Sequence, residues 1–468
     1  MDRPSKKMLA RMPLAEGVLL VWRWVTHEEQ MERLWQNHRG RCYQKIISFS
    51  SMVHLIADAL LNCKGSGRRA FENAINNNEL DASVQAAFKK LGRLPVSVSQ
   101  AFLTECTASL RQAFPEWAKY QLPESLRSFR VLILDGKAIK RVAKRLKPLR
   151  GISGGLLGGR ALVGLDFSTG LAVAMHAHED GEANDVRFVP DLLPVLRDQF
   201  EGNLLYMGDR AFCDLTQPQH FTANEGDHFL VRYHKKNQFS RDKSRAQRKG
   251  KDASGRKYVE SWGELGSVKN KHRRYVRMIQ LELPDKAPLI LVTDLLDADV
   301  HPAQDLLWLY AQRWGIEQVF QNVTEVFGLE HLIGGSPKAC IFQFSFCMLL
   351  HNLIQLIRAY VAEAHDIEPE DISLEKLFED VNDQLIAWNV MLEPEATIKY
   401  FRIVPSLPKL ETRLRELFSL TWSERWRKSP PQERPKKKVA KKARTHNSVY
   451  RILRDHTQRK PNTKPRSP

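Results

Sequence analysis

Three acidic residues stand where a carboxylate is costly or conspicuous. Asp135 ends the apolar run of "VLILDGKAIK", Asp209 ends that of "NLLYMGDRAFCDL", and Glu317 lies in "YAQRWGIE", four residues after Arg313 and seven after Tyr310. An apolar run closed by glycine reads as a buried strand. A carboxylate at its end is unfavourable unless a cation, a helix N-terminus or a metal ion compensates it. Lys137 is one candidate counter-charge for Asp135, and an Asp that caps its own turn is an equal alternative while Asp135 is taken alone. An Arg313–Glu317 pair on a solvated face would likewise contribute only roughly a few tenths of a kcal/mol. Taken together, the three acids say more. Carboxylates within a few ångströms of one another repel, so such a cluster is stable only with divalent cations in it. Two Mg²⁺ ions about 3.5–4 Å apart, or Mn²⁺ in their place, can activate a water or a 3′-hydroxyl and stabilise the leaving oxygen of an in-line displacement at a phosphodiester.

Bringing three distant acids together requires a sheet and a helix. From residue 129, "FRVLILDGKAI" is followed by "ALVGLDFSTGLAVAMHAH", two apolar runs joined by the hairpin signal Asp166–Gly170. A helical pattern at Val186 to Phe200 and the run ending on Asp209 complete the order strand, strand, strand, helix, strand. "DLLWLYAQRWGIEQVFQNVTEVFGLEHLIG" has the spacing of one long helix, which places Tyr310, Arg313 and Glu317 on one face. In a ribonuclease-H-like sheet the first and fourth strands lie side by side and the last helix packs over them. The acids would then converge.

The expected organisation is α/β, with a ribonuclease-H-like core, a β-rich insertion and helical regions at both ends. Residues 1–128 read as a helical, DNA-binding region, 129–228 as the first part of the core, and 229–296 as a β-rich basic insertion. Residues 297–335 return to the core with the catalytic helix, 336–426 form a helical region suited to dimerisation, and 427–468 a basic tail. In the first region the pattern predicts a helix over Ser83–Leu91 and another capped by Ser97, a helical hairpin more than a DNA-reading pair. Trp262 in "VESWGEL" could stack on an extruded base, although in a chain with ten Trp a core role is the simpler reading. The tail carries fifteen Lys or Arg against Glu433 and Asp455, and such a segment is expected to be disordered.

A formal charge of +18 makes a polyanion the first partner to consider. Six cysteines without a C-x-x-C pair suggest neither a zinc ribbon nor a disulfide framework, which fits a reducing cytoplasm. No segment reads as a signal or a membrane span. The most apolar stretch, Ile341 to Ile357, is interrupted by Gln343, His351, Asn352 and Gln355 and reads as a buried helix.

These segments resemble those of DDE transposases of the bacterial insertion-sequence-four family. The last motif there is Tyr, Arg, Glu, Lys, and "YAQRWGIE" matches its first three members. "GDRAFCD" is similar to the Asp-Arg-x-Phe form around the second acid, and "VLILDGKAI" to the first motif. The likeness covers about residues 40–360, with the motifs in 129–333. It implies that Asp135, Asp209 and Glu317 are catalytic and ligate two Mg²⁺ ions. It also implies that Arg313 contacts the DNA strand near the cleavage point with Tyr310 buttressing it, and that Arg210, Lys137 and Trp262 are further DNA contacts. Thr324 stands where the family has its Lys, so any phosphate clamp there has only a neutral donor. The implied partners are double-stranded DNA, at terminal inverted repeats and at the target, and a second copy of the chain in a synaptic complex. The implied place is the bacterial cytoplasm with the nucleoid, and the implied route is cut-and-paste through a hairpin. A stand-alone metal-dependent nuclease of the same fold and an inactive DNA-binding derivative remain as alternatives.

Overall fold

Serine caps open several of the N-terminal helices. These helices are α1 (Pro13–Val25), α2 (Glu28–His38), α3 (Phe49–Leu61), α4 (Gly67–Asn76), α5 (Val84–Leu91) and α6 (Val96–Gln112). Ser48, Ser66 and Ser83 accept backbone N–H groups at the starts of α3, α4 and α5. The expected cap of α6 is displaced. Pro95 precedes the helix, so Ser97 lies inside its first turn and donates its hydroxyl to the His38 carbonyl at 2.7 Å. Val98, Phe102, Cys106 and Leu110 of α6 are buried, and the helix packs on the sheet. The structure is a computed structural model. It describes residues 10–42, 44–63, 65–140, 142, 144–284, 286–326, 329, 333–392, 397, 400, 405–428 and 446–459.

The core sheet follows from the predicted strand order. Strands β1 (Phe129–Lys140), β2 (Gly155–Asp166) and β3 (Leu171–His178) precede helix α7 (Val189–Arg197). Then come β4 (Asn203–Gly208), α8 (Gln217–Phe221) and β5 (His228–Arg232). β1 and β3 flank β2 as antiparallel partners, whereas β1 pairs with β4, and β4 with β5, in parallel. The resulting order β3-β2-β1-β4-β5 is that of a ribonuclease-H-like core. Val131 to Leu134 are buried on both faces, which explains their unbroken apolar run.

The basic insertion is not a separate sheet. It supplies β6 (Phe239–Arg241), β7 (Arg248–Lys251), β8 (Lys257–Leu265), β9 (Arg274–Leu283) and β10 (Lys286–Thr293), and β10 continues the core sheet by pairing with β5. The boundary expected at residue 229 therefore falls inside a core strand.

The expected long helix is broken. It consists of α9 (Ala303–Ala311) and α10 (Trp314–Gln321), followed by a π-helical turn over Asn322–Val326. Between them the chain tightens, with Gly315 N–H bonded to the Gln312 carbonyl at 2.9 Å and Ile316 N–H to that of Arg313 at 3.3 Å. Gly315, a weak helix former, stands just inside the break. Beyond lie α11 (Pro337–His365), α12 (Leu374–Met391) and α13 (Leu407–Phe418). α11 is long and apolar enough to cross a bilayer, but its apolar window is wholly buried in the protein. Its polar residues have structural uses: Asn352 donates to Thr107 Oγ1 and the Ala172 carbonyl, both at 2.8 Å, and accepts from Ala172 N–H at 2.9 Å.

Part of the tail expected to be disordered is folded. β11 (His446–Ser448) pairs in parallel with the start of β2, and α14 (Val449–Arg459) follows it. The β2 edge offers backbone partners, and Asp180 offers a counter-charge that Arg451 Nε meets at 2.8 Å. The remainder of that segment, 429–445 and 460–468, lies outside the described residues. One hydrophobic cluster runs from Met12 to Val449 and joins the N-terminal helices, the sheet and the C-terminal helices.

Candidate active site

Sheet register sets two of the acids side by side. Leu134 of β1 pairs with Gly208 of β4, so Asp135 and Asp209 are the next residues on neighbouring parallel strands, whose axes lie about 4.8 Å apart. Asp135 Oδ1 accepts its neighbour's N–H, from Gly136, at 2.8 Å. Asp209 Oδ1 accepts from Ala211 N–H at 2.7 Å and so caps the short 3₁₀ turn Arg210–Cys213. The capping alternative is thus real at Asp209, but the cap is made through Oδ1 alone.

The third acid arrives from α10. Arg313 stands at the start of that helix, its Nη2 2.8 Å from Glu317 Oε1 and its Nη1 3.9 Å from Asp135 Oδ2. The guanidinium lies 5.9 Å from the centre of the Tyr310 ring. The break between α9 and α10 therefore preserves the grouping of Tyr310, Arg313 and Glu317, since it falls between Tyr310 and the others without turning them apart.

Electrostatics bear the strain of this grouping. Burial pushes the Asp135 carboxyl up to about 6, with Asp209 and Glu317 acting in the same direction and Arg313 and the Gly136 N–H opposing. Burial also pushes the Tyr310 phenol up to about 12, against the pull of Arg313. Arg313 Nε is buried without a partner.

Residues 127–353 match the family model described as the transposase DDE domain. The match covers a little under half of the chain. It runs from β1 into α11 and contains Asp135, Asp209 and Glu317. No curated protein matches the chain. Among solved structures, a cryo-EM structure of the piggyBac transposase synaptic complex with hairpin DNA is similar over 89% of this chain and 78% of that one, at 13% identity and a TM-score of 0.34. A score that low carries no argument.

Other predicted site residues are spread around this centre. Arg210 is exposed at the start of the 3₁₀ turn beside Asp209. Lys137 shares the Asp135 face of β1, and its Nζ lies 5.2 Å from the Phe320 ring of α10. Burial and then Lys140 hold its ammonium pKa below the ordinary lysine value, with Asp135 and Glu325 opposing. Thr324 falls in the π turn and donates its hydroxyl to the Phe320 carbonyl at 2.7 Å, so it is occupied within its own helix. Trp262 takes the core role rather than the DNA contact that the resemblance implied: it is 1% exposed, donates Nε1–H to the Leu296 carbonyl at 2.9 Å, and has the Arg245 guanidinium 4.0 Å from its ring. No base can stack on it in this position, and it is a core residue of the insertion.

Sequence reading missed Asp185. Its carboxylate lies so close to Gly136 that a Cβ there would meet Asp185 Oδ2 at 1.6 Å. Asp185 is paired with Arg160 at 2.7 Å. No apolar run or spacing marks it; only the fold brings the segment after β3 beside Gly136 of β1.

Among the described residues, no three His, Cys, Asp or Glu side chains are gathered closely enough to hold a metal ion as they stand. Arg313 instead occupies the space between Asp135 and Glu317. The donor chemistry nevertheless fits a hard divalent cation: only oxygen donors, from three carboxylates, one of which resists ionisation.

Proposed function

We propose that this protein is a transposase of the insertion-sequence-four type that acts on the terminal inverted repeats of its element. It cuts the DNA there and joins the freed 3′-hydroxyl to target DNA by a cut-and-paste route. The observation that carries this reading is the meeting of Asp135, in β1 just past its pairing with β4, and Asp209, just past the end of β4, with Glu317 tied to the same place through Arg313. Asp135, Asp209 and Glu317 are the residues that would hold two Mg²⁺ ions. Divalent cations bound there supply an activated water or 3′-hydroxyl and charge stabilisation of the leaving oxygen.

The protein's own groups complete the site. Arg313, released from Glu317, presents a planar two-pronged donor to a phosphate, and Tyr310 limits where it can swing. Arg210, exposed beside Asp209, and Lys137, two residues beyond Asp135 in β1, extend positive charge around the acids. The charge of +18 suits a duplex partner. In this reading the N-terminal helices bind element ends, the C-terminal helices support a homodimeric synapse, and the protein works on the bacterial nucleoid. Strand joining is the decisive assay. A duplex carrying the element end with a ready 3′-hydroxyl should be inserted into a plasmid in the presence of Mg²⁺; cleavage of intact ends without any joining would make the protein a nuclease of the same fold.

A further inference from the structure

Behind α10, on the side away from Glu317, lies a cavity of about 580 Å³. Gln318 and Asn322 form one wall, the β2–β3 turn with Phe167 another, and Arg358 of α11 the floor. Lys428 stands at the rim.

Arg358 is the unusual member. It is 8% exposed, yet its hydrogen bonds are long and neutral: Nη1 to the Ile372 carbonyl at 3.4 Å and Nη2 to Tyr120 Oη at 3.3 Å. Its Nε is buried with no partner. Among the described residues no carboxylate lies within 4.0 Å of it. A buried guanidinium without a counter-ion is strongly disfavoured. Lys428 adds to the excess: partial desolvation and then the nearby Arg358 push its ammonium pKa down, with Glu370 and Asp371 opposing. Glu370 and Glu375 are exposed at the mouth, where water and salt screen them.

Two cations that repel each other across a polar cavity call for an anion between them. We propose that this cavity is a phosphate-binding site, with Arg358 and Lys428 gripping the phosphate of a nucleoside monophosphate, either free or at the end of a DNA strand. A forked guanidinium with an ammonium matches a phosphate's several oxygens. Tyr120 Oη and Ser373 line the same space and can donate to them. The Gln355 amide, 7% exposed with Oε1 unpartnered, presents a donor after a simple flip. The volume falls in the range of about 300–1,000 Å³ common for small-molecule sites, and Tyr120 and Phe167 provide apolar walls for a sugar or base. Because Gln318 sits on α10 with Glu317 and Asn322 directly follows it, an occupant ties α10 to α11.

Calorimetric titration of the full chain with AMP and with inorganic phosphate tests this. One saturable site per chain is expected, weakened about tenfold by Lys428→Ala and about a hundredfold by Arg358→Gln, the steps expected for removing a rim and a buried charged donor. If Arg358→Gln fails to fold, Lys428→Ala and Tyr120→Phe carry the test. Paired duplexes with a 5′-phosphate or a 5′-hydroxyl separate the sources. A preference for the phosphorylated end that disappears in Lys428→Ala assigns the site to a strand end, and AMP binding without that preference assigns it to a free nucleotide. The proposal is overturned if no ligand shows a saturable site, or if both substitutions leave affinity unchanged. Cleavage by the unmodified chain, measured separately, tests the acidic site and not this cavity.

Discussion

Arg313 bridges Glu317 and Asp135, with Nη2 at 2.8 Å from one carboxylate and Nη1 at 3.9 Å from the other. One guanidinium thus links the helix-borne acid to the strand-borne acid and supplies the positive charge that their proximity demands. The arrangement makes Arg313 an internal substitute for a cation, and its side chain the one that has to move when the acids take up another charge.

Asp135 gives this a pH signature. Its carboxyl is raised to about 6 from an ordinary 3.8. A raised acid pKa means that ionisation destabilises the fold: the penalty is absent below about pH 4, where folded and unfolded states are both protonated, and complete above pH 6. At about 1.4 kcal/mol per unit it amounts to about 3 kcal/mol. Without divalent cations, Asp135→Asn is therefore expected to be more stable than the wild type at pH 8 by up to about 3 kcal/mol, and equal to it near pH 4. Thermal melts in chelator across that range check it, and a pH-independent difference would refute the assignment.

Arg313 and Thr324 should respond in opposite directions. Arg313→Ala is expected to reduce both end binding and cleavage, since it removes a charged donor beside the acids. Thr324→Lys frees the position from its bond to the Phe320 carbonyl and adds a charge, so affinity for end DNA should rise, more at low salt than at high. Mobility-shift titrations at two salt concentrations measure both. An unchanged affinity for Thr324→Lys at low salt would mean that the π turn does not face the DNA backbone.

The insertion rests on a buried ion pair. Arg277 is fully buried and donates Nε–H to Glu260 Oε2 at 2.6 Å, while its Nη1 donates to the His301 carbonyl at 2.7 Å. Glu260→Leu strands the guanidinium and should destabilise the protein by about 3–5 kcal/mol. Chemical denaturation reads this directly; a loss below about 1 kcal/mol, the level of a surface pair, would contradict it.

Deleting residues 446–468 uncovers the β2 edge and removes the Arg451–Asp180 pair. The melting temperature should fall, and the dependence of log affinity for DNA on log salt should flatten by about 0.9 for each phosphate that the shortened chain no longer neutralises. An unchanged melting temperature would show that β11 adds nothing to the sheet.

Much of this was legible in the chain. The apolar runs ending on Asp135 and Asp209 are long because both strands are buried on two faces, and their register then follows from the parallel pairing. Tyr310, Arg313 and Glu317 were legible as a group because their spacing survives the helix break. The break itself was not, because a two-residue tightening and a π turn leave the apolar period nearly intact. Trp262 left two readings open because a tryptophan in a basic insertion reads alike whether its ring is buried under Arg245 or open to a base, and its burial bears out the simpler one. Asp185 and the tail's β11 depend on contacts across the sheet, which no local pattern encodes.

Whether Asp135, Asp209 and Glu317 together hold the metal that cuts DNA is decided by single-turnover cleavage of end-bearing duplex in Mg²⁺. Asp135→Asn, Asp209→Asn and Glu317→Gln should each lower the rate by several kcal/mol of barrier, roughly a thousandfold or more, with end binding nearly unchanged in a parallel mobility shift. Cleavage at the wild-type rate in any one variant would remove that residue from the site, and wild-type cleavage that persists in excess chelator would contradict the account as a whole.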